Sequence, residues 1–360
     1  MKILYVSHRD ITHPRSGGAE AYASIFLKYL AGNGNEIDVI TSRFNNQKKN
    51  EIIEGINYYR YKWSIGPHIA LPFFACREGY DIIISDLGHV IPWPSTMIKG
   101  RKRITIFHHL HRRTLYGQLG KSIARLFIMI EKTYRIIYRN SYFVSPSSTS
   151  MNDLVALGID SKHIKIIHPG VDQKVFKQSE KSKKLQLIYF SGLREYKRPY
   201  LALTVMKELI KKYKDLTLII VGMGPSHKNL VSIAKKNGLE NNVIFTGKID
   251  QMKLSKIISE SHINVQFSIA EGFGMTAIES SACGTPTVAF RTTGVVDAIN
   301  DGENGFMIEN NNIPQFISKI EQIFENYEIW PEKCIAFSKN FTIEKEGLKW
   351  MELIKDLVLV

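Results

Sequence analysis

Two carboxylates set among small residues make Ser268-Ile-Ala-Glu271-Gly-Phe-Gly-Met-Thr-Ala-Ile-Glu279-Ser-Ser-Ala-Cys-Gly284-Thr-Pro286 the stretch best suited to chemistry. It reads as the end of a strand, a Gly-Phe-Gly turn and a helix opening near Met275. Amides at a helix entrance lack intrahelical partners, and the helix dipole favours an anion beside them. Eight residues turn a helix by about 800°, so Glu271 and Glu279 would not stack if both were helical. With Glu271 in the turn and Glu279 inside the helix, the two could reach different parts of one ligand. An ordinary solvated helix position for Glu279 is equally consistent with the spacing.

A second helix entrance follows the loop Ser7 to Ser16, where Gly17-Gly18-Ala19-Glu20 leaves amides open to an anion or forms a flexible turn. Neither GxGxxG nor GxxxxGK[ST] occurs, so nicotinamide chemistry and P-loop hydrolysis lose support. His108, His109 and His111 close a strand-like run. Neighbouring side chains on a strand point to opposite sides, so no shared metal is expected there. Arg9, Asp10 and His13 in that first loop are further candidates for ligand contact.

The elements that would position these groups alternate between short β-branched runs and amphipathic stretches, the pattern of parallel sheets covered by helices. One series opens with Ile3 to Val6, continues through a helix with Tyr22, Ile25, Phe26, Tyr29 and Leu30 on one face, and returns in Ile37 to Ile40. Strands are expected near 81–85, 104–107, 142–145 and 164–167. A second series places strands at 187–190, 216–221, 243–245 and 263–265, with helices at 198–211, 313–324 and 342–357. The fold class is α/β, with two Rossmann-like doubly wound domains facing across a cleft. The domains expected are 1–170, a linker at 171–184, and 185–340. A final helix, 341–360, could cross back to the first domain.

The chain has 360 residues and a formal charge of +14. Residues 1–180 carry a net +11 and the rest +3. Between Lys99 and Arg139 stand eleven basic residues and one acid, Glu131. On a helical projection Lys121, Arg125, Lys132, Arg135 and Arg139 share one direction. Ile123, Leu126, Phe127, Ile130, Tyr134 and Ile137 lie opposite, as if packed on the sheet, with Ile128 and Ile136 near the basic side. With Arg112 and Arg113, these basic side chains are the membrane-facing candidates, and an anionic membrane surface is the expected partner. Nucleic acid is not expected, because no recognition motif accompanies the charge. Three scattered cysteines cannot form a disulfide framework, and no run is long enough for a signal peptide or a spanning helix. The expected location is the cytoplasm, at the inner face of the cell membrane.

The Glu271 block resembles that of the retaining family-four glycosyltransferases of GT-B architecture, which carry EGFGxxxxE at this place. Gly17-Gly18-Ala19-Glu20, His168-Pro-Gly-Val-Asp172, Val221-Gly-Met-Gly-Pro225, Val243-Ile-Phe-Thr-Gly247 and Asp301-Gly-Glu-Asn-Gly305 resemble further blocks in the same order. The resemblance implies a nucleotide-diphosphate sugar as donor, bound mainly by 185–340, with 1–170 on the acceptor side and Arg9, Asp10 and His13 as candidates for acceptor contact, and with no cofactor and no metal. It implies that Glu279 takes the ribose hydroxyls, that Glu271 faces the sugar, and that the turn Phe273, Gly274, Met275 and Thr276 offers donors to sugar and phosphate. Gly222 and Gly224 fall on the donor side as well. Lys197 matches the residue that clamps the diphosphate, and His108 the histidine that hydrogen-bonds the donor sugar. Gly192 stands where the family often has an arginine, and Arg194 could supply that charge. The activity implied is retaining hexosyl transfer to a glycan or lipid-linked acceptor in bacterial surface polysaccharide or glycolipid synthesis. A nucleotide-sugar epimerase and a non-catalytic sugar-nucleotide binding protein are the alternatives.

Overall fold

The computed structural model describes residues 1–14, 16–98, 100–112 and 120–359. They form two compact units, Met1–Gly170 with Ile343–Val360, and Val171–Thr342.

The first unit is built on eight strands: β1 (Lys2–Val6), β2 (Glu36–Ser42), β3 (Asn50–Ile53), β4 (Ile56–Tyr61), β5 (Ile82–Asp86), β6 (Lys102–Ile106), β7 (Tyr142–Ser145) and β8 (Ile164–Ile166). Their order is β3-β4-β2-β1-β5-β6-β7-β8, parallel throughout except for the edge hairpin β3-β4. Strand alternation divides the core between the two faces of the sheet. Ile3, Tyr5, Ile82 and Ile84 face the helices Gly18–Gly32 and Ile343–Leu359. Leu4, Val6 and Ile83 face the helix Gly66–Glu78 and the segment that carries Tyr134 and Tyr138. The C-terminal helix is part of this core: Trp350 is fully buried and stacks on Phe26 with ring centroids 4.2 Å apart.

The second unit holds β9 (Gln186–Phe190), β10 (Thr217–Val221), β11 (Val243–Gly247), β12 (Ile263–Gln266), β13 (Thr287–Phe290) and β14 (Gly305–Ile308). All are parallel, in the order β11-β10-β9-β12-β13-β14. Leu187 and Tyr189 pack on the helices Tyr200–Leu209 and Ile313–Glu325, while Ile188 and Phe190 pack towards Met275–Ala282. Residues 171–184, expected as a linker, are packed into this unit. Phe176 is buried, Val171 N–H donates to Phe341 O, and Lys181 Nζ donates to Ser261 O (2.7 Å) and Thr285 Oγ1 (2.8 Å). Side-chain hydrogen bonds hold this irregular backbone, and they leave no periodic signature in sequence.

Trp350→Ala removes a stacked, fully buried indole. It is expected to destabilise the first unit by about 3–5 kcal/mol, seen as a lowered calorimetric midpoint for that unit.

Candidate functional site

In the second unit, the loops after β9 and β12 bring Lys197 and Glu271 together. Lys197 ends a short 3₁₀ turn, Glu195–Lys197, and its Nζ lies 2.5 Å from Glu271 Oε1. The same oxygen accepts from Ser268 Oγ at 2.6 Å. Burial works against the ammonium, but the adjacent Glu271 carboxylate outweighs it and holds the Lys197 pKa above the ordinary lysine value. Arg194 is exposed and lies near enough to oppose that charge. Gly192 is also exposed, and a Cβ there would meet nothing within 4 Å.

The helix Met275–Ala282 starts immediately after Glu271-Gly-Phe-Gly, with Gly274 at its N-cap in left-handed conformation (φ 99°). The Phe273 side chain is buried in the core against Phe341. Thr276 Oγ1 accepts from Gln266 Nε2, and Met275 is half-buried. Gly294 lets a neighbouring loop close on this turn, since a Cβ there would lie 2.6 Å from Phe273 N. Burial pushes Glu279 up to about 8. Gly222 and Gly224 sit where a Cβ would strike Ser191 O at 2.0 Å and Leu193 O at 2.4 Å, so they allow two loops to touch.

In the first unit His108 follows β6 and is buried. Its Nε2 lies 2.9 Å from Asp86 Oδ1, and Asp86 Oδ2 accepts from Tyr5 Oη at 2.6 Å. Trp93 Nε1 donates to Asp86 O (2.6 Å) and Ser150 Oγ to His108 O (2.5 Å). Burial opposes charge on both side chains, yet the pair outweighs it: His108 is raised above its ordinary pKa and Asp86 lowered below its own. Burial and the nearby Arg9 instead lower His8 to about 4, and burial beside His8 lowers His89 to about 3. The His109 and His111 rings lie against each other, tilted by 37° with centroids 5.1 Å apart.

In the loop before Gly17, two of the acceptor candidates are buried. Asp10 is buried, with Oδ2 receiving Arg60 Nε at 2.7 Å and Oδ1 receiving Thr12 N and Oγ1. His13 is buried edge-on against Phe44. Asp10 holds the loop in shape, because a fully buried Arg60 needs a carboxylate partner. Arg9 Nε pairs with Glu20 Oε1 at 2.9 Å, and Glu20 Oε2 accepts from Gly17 N–H at 2.7 Å, so Glu20 ties the Gly17-Gly18 turn to Arg9.

Two family descriptions match, "Glycosyltransferase Family 4" over residues 16–175 and "Glycosyl transferases group 1" over residues 171–341. The chain belongs to the family-four glycosyltransferases. D-inositol 3-phosphate glycosyltransferase 2 of Catenulispora acidiphila is 26% identical over 300 residues, 75% of this chain and 68% of the relative. Sucrose-phosphate synthase of Thermosynechococcus elongatus superposes with a TM-score of 0.83 at 19% identity, covering 99% of this chain and 98% of that one. HepE of Anabaena, solved in complex with UDP-glucose, gives 0.79 at 17%, covering 99% and 100%. The fold of this glycosyltransferase is GT-B.

Sequence reasoning missed two residues that hold candidate side chains in place, one in each unit. Asp86 carried a signal, an acid ending a buried strand, that needed a partner to be read. Arg198, expected inside a helix, is buried in left-handed conformation (φ 48°). It donates from Nε to Phe267 O (2.5 Å) and from its terminal nitrogens to Asn310 and Asn311, so it braces the strand end that leads to Ser268 and Glu271.

The basic segment of this glycosyltransferase packs Phe127, Ile130, Tyr134 and Ile137 inward as the projection expects, and departs from it at Ile123, Leu126 and Ile128. The helix Lys121–Lys132 stops at Thr133, and a short turn, Tyr134–Ile137, follows. Tyr134 Oη donates to Val90 O and Tyr138 Oη accepts from Trp93 N–H, and these anchors set the rotation. Ala124 and Glu131 are therefore buried, and Ile128 packs against Val90 and Ala124, whereas Ile123 and Leu126 remain exposed. Glu131 Oε1 accepts from His111 N–H, with Arg112 Nε 3.8 Å from Oε2. Lys121, Arg125, Lys132, Arg135 and Arg139 are exposed. Arg113 lies outside the described residues.

Ring NMR titration should find His8 and His89 neutral down to about pH 4 and 3, and His108 protonated above its ordinary value. Asp86→Asn should lower the His108 pKa, lower His89 further because the Asp86 carboxylate also favours its charged form, and leave His8 in place. For Glu279 the unfolded chain ionises near 4.5 and the folded chain near 8, so this group costs stability as pH rises between them. Glu279→Gln is expected to raise the melting temperature at pH 8 by about 2–4 °C.

Proposed function

We propose that the protein is a retaining, metal-independent hexosyltransferase that moves a sugar from a nucleoside-diphosphate donor to a glycan or lipid-linked acceptor at a membrane surface, in bacterial surface polysaccharide or glycolipid synthesis. The observation that carries this reading is the Lys197 ammonium, held charged against Glu271 beside the entrance of the helix Met275–Ala282. An ammonium and a helix N-terminus suit a diphosphate leaving group whose negative charge grows as the glycosidic bond breaks. In this scheme Lys197 and Arg194 neutralise the diphosphate, Glu279 receives the ribose hydroxyls, and His108 hydrogen-bonds the sugar. The anomeric carbon–oxygen bond to phosphate breaks on the face at which the acceptor oxygen arrives, and the departing phosphate oxygen takes the acceptor proton. HepE, with its UDP-glucose complex, makes UDP-glucose the first donor to test.

UDP-glucose should raise the melting temperature of the full chain by preferential binding to the folded state. Lys197→Ala and Glu271→Ala should retain the fold and lose about 10²–10³ in transfer or donor hydrolysis. Unchanged turnover in both would reject the site. A variant that consumes donor without an acceptor and returns an epimerised sugar nucleotide would point to the epimerase.

The missing arginine gives a sharper test. Arg194→Ala should weaken donor binding about tenfold, the loss of one charge-assisted contact. Gly192→Arg, placed where a side chain has room, should restore it in the Arg194→Ala background. Isothermal calorimetry reads both.

A further inference from the structure

The helix Gly66–Glu78 covers one face of the first unit's sheet with Leu71 and Ala75, which are buried. Its other side carries Ile69 and Phe73, which with Ile65 recur every four residues and so form one ridge. Their exposures are 59%, 70% and 60%. Trp63, 74% exposed, precedes the ridge in left-handed conformation (φ 62°), its carbonyl accepting from Gly66 N–H. Four large apolar side chains left in water on one ridge, in a chain with this much basic charge, call for a partner.

Two observations say what the partner is. The helix Lys121–Lys132 packs on the same face of the sheet, through Val90, Ala124 and the cluster that also holds Leu71 and Tyr134. It too turns apolar residues outward, Ile123, Leu126 and Met129, and intersperses them with exposed Lys121, Arg125 and Lys132, while its acid, Glu131, is buried. Apolar residues among unopposed basic ones match the interface of an anionic bilayer, which takes the first into its acyl boundary and the second at its phosphates. The ridge also begins just past Tyr61, at the C-terminal end of β4. In this parallel sheet that edge is the one at which β5 and β6 deliver Asp86 and His108.

We propose that this face is a bilayer-insertion platform, in which Trp63, Ile65, Ile69 and Phe73 enter an anionic lipid surface and the basic helix Lys121–Lys132 lies on its headgroups. The assignment deepens the reading of a lipid-linked acceptor and rests on it: a lipid-anchored hydroxyl would reach the protein at the sheet edge where Asp86 and His108 stand.

Trp63 makes the test direct, because the other three tryptophans, Trp93, Trp330 and Trp350, are 3% exposed or less. The full chain should sediment with vesicles of phosphatidylcholine and phosphatidylglycerol in equal parts, and not with phosphatidylcholine alone. Its tryptophan emission should shift to the blue and be quenched by brominated acyl chains, and Trp63→Phe should abolish the signal while retaining the binding. Ile69→Ser with Phe73→Ser should lower the vesicle partition coefficient about 100-fold, the loss of two large buried side chains, with the melting temperature unchanged. Lys121→Glu with Arg125→Glu should lower it at least tenfold at low salt. Binding without quenching, or binding that 0.5 M salt removes completely, would overturn insertion, as would a parent chain that ignores both vesicles. A concentration-dependent dimer lost in the serine variant would assign the ridge to a second copy instead. None of these readouts needs donor or acceptor, so a stabilising UDP-glucose shift alongside failed vesicle binding would sink this inference and leave the glycosyltransferase reading standing.

Discussion

An ammonium withdrawn from most of its water stays charged only where an opposite charge is held against it, and the donor half of this protein is arranged around that requirement at Lys197. Glu271 supplies the charge, but a carboxylate in a glycine-rich turn has to be fixed before it can do so. Ser268 donates to the oxygen that Lys197 uses, Thr293 O accepts from Glu271 N–H, and Gly294 allows its loop to approach within a distance no side chain would permit. Behind them Arg198 binds the end of the strand that leads to Ser268. The pair is thus the visible end of a rigid assembly, and a ligand phosphate that reached Lys197 would meet a charge already oriented.

The first unit solves the same problem with different groups. Asp86 is shared between His108 and Tyr5, so the imidazole is oriented by one carboxylate oxygen and the carboxylate by a phenol. Around it burial lowers His8 and His89 whereas the Asp86 carboxylate raises His108, so one sheet edge holds imidazoles shifted in opposite directions. Asp10 and Arg60 show a further use of a buried pair: they set the shape of the loop after β1 without being available to a ligand.

Much of the fold was legible because it depends on periodicity. A parallel strand buried on both faces must be a short apolar run, and a covering helix must repeat its apolar residues every three or four positions, so β1, β7 and β9 and the helix Gly18–Gly32 could be read directly. The edge hairpin β3-β4 was not read, since its strands face water on one side and carry polar residues. The rotation of the basic helix was read for Phe127, Ile130, Tyr134 and Ile137, which pack inward, but not for the place of Ile128 against Ile123. Ile123 and Ile128 are equally apolar, and the decision between them was made by Tyr134 and Tyr138, whose partners Val90 and Trp93 lie more than forty residues away.

Residue types and local spacing are sequence properties, and they determined the helix entrances at Gly17 and Gly274, the Glu271–Glu279 motif, the α/β alternation and the basic excess of the first half. Distance between remote side chains is not such a property. Tertiary structure alone decided that Lys197 meets Glu271 across 74 positions, that Asp86 holds His108, that Asp10 is consumed by Arg60, and that Trp350 from the last helix completes the core of the first unit. Each of these depends on which loops the packed sheets bring to one edge, and a one-dimensional pattern carries no information about that until the sheets are assembled.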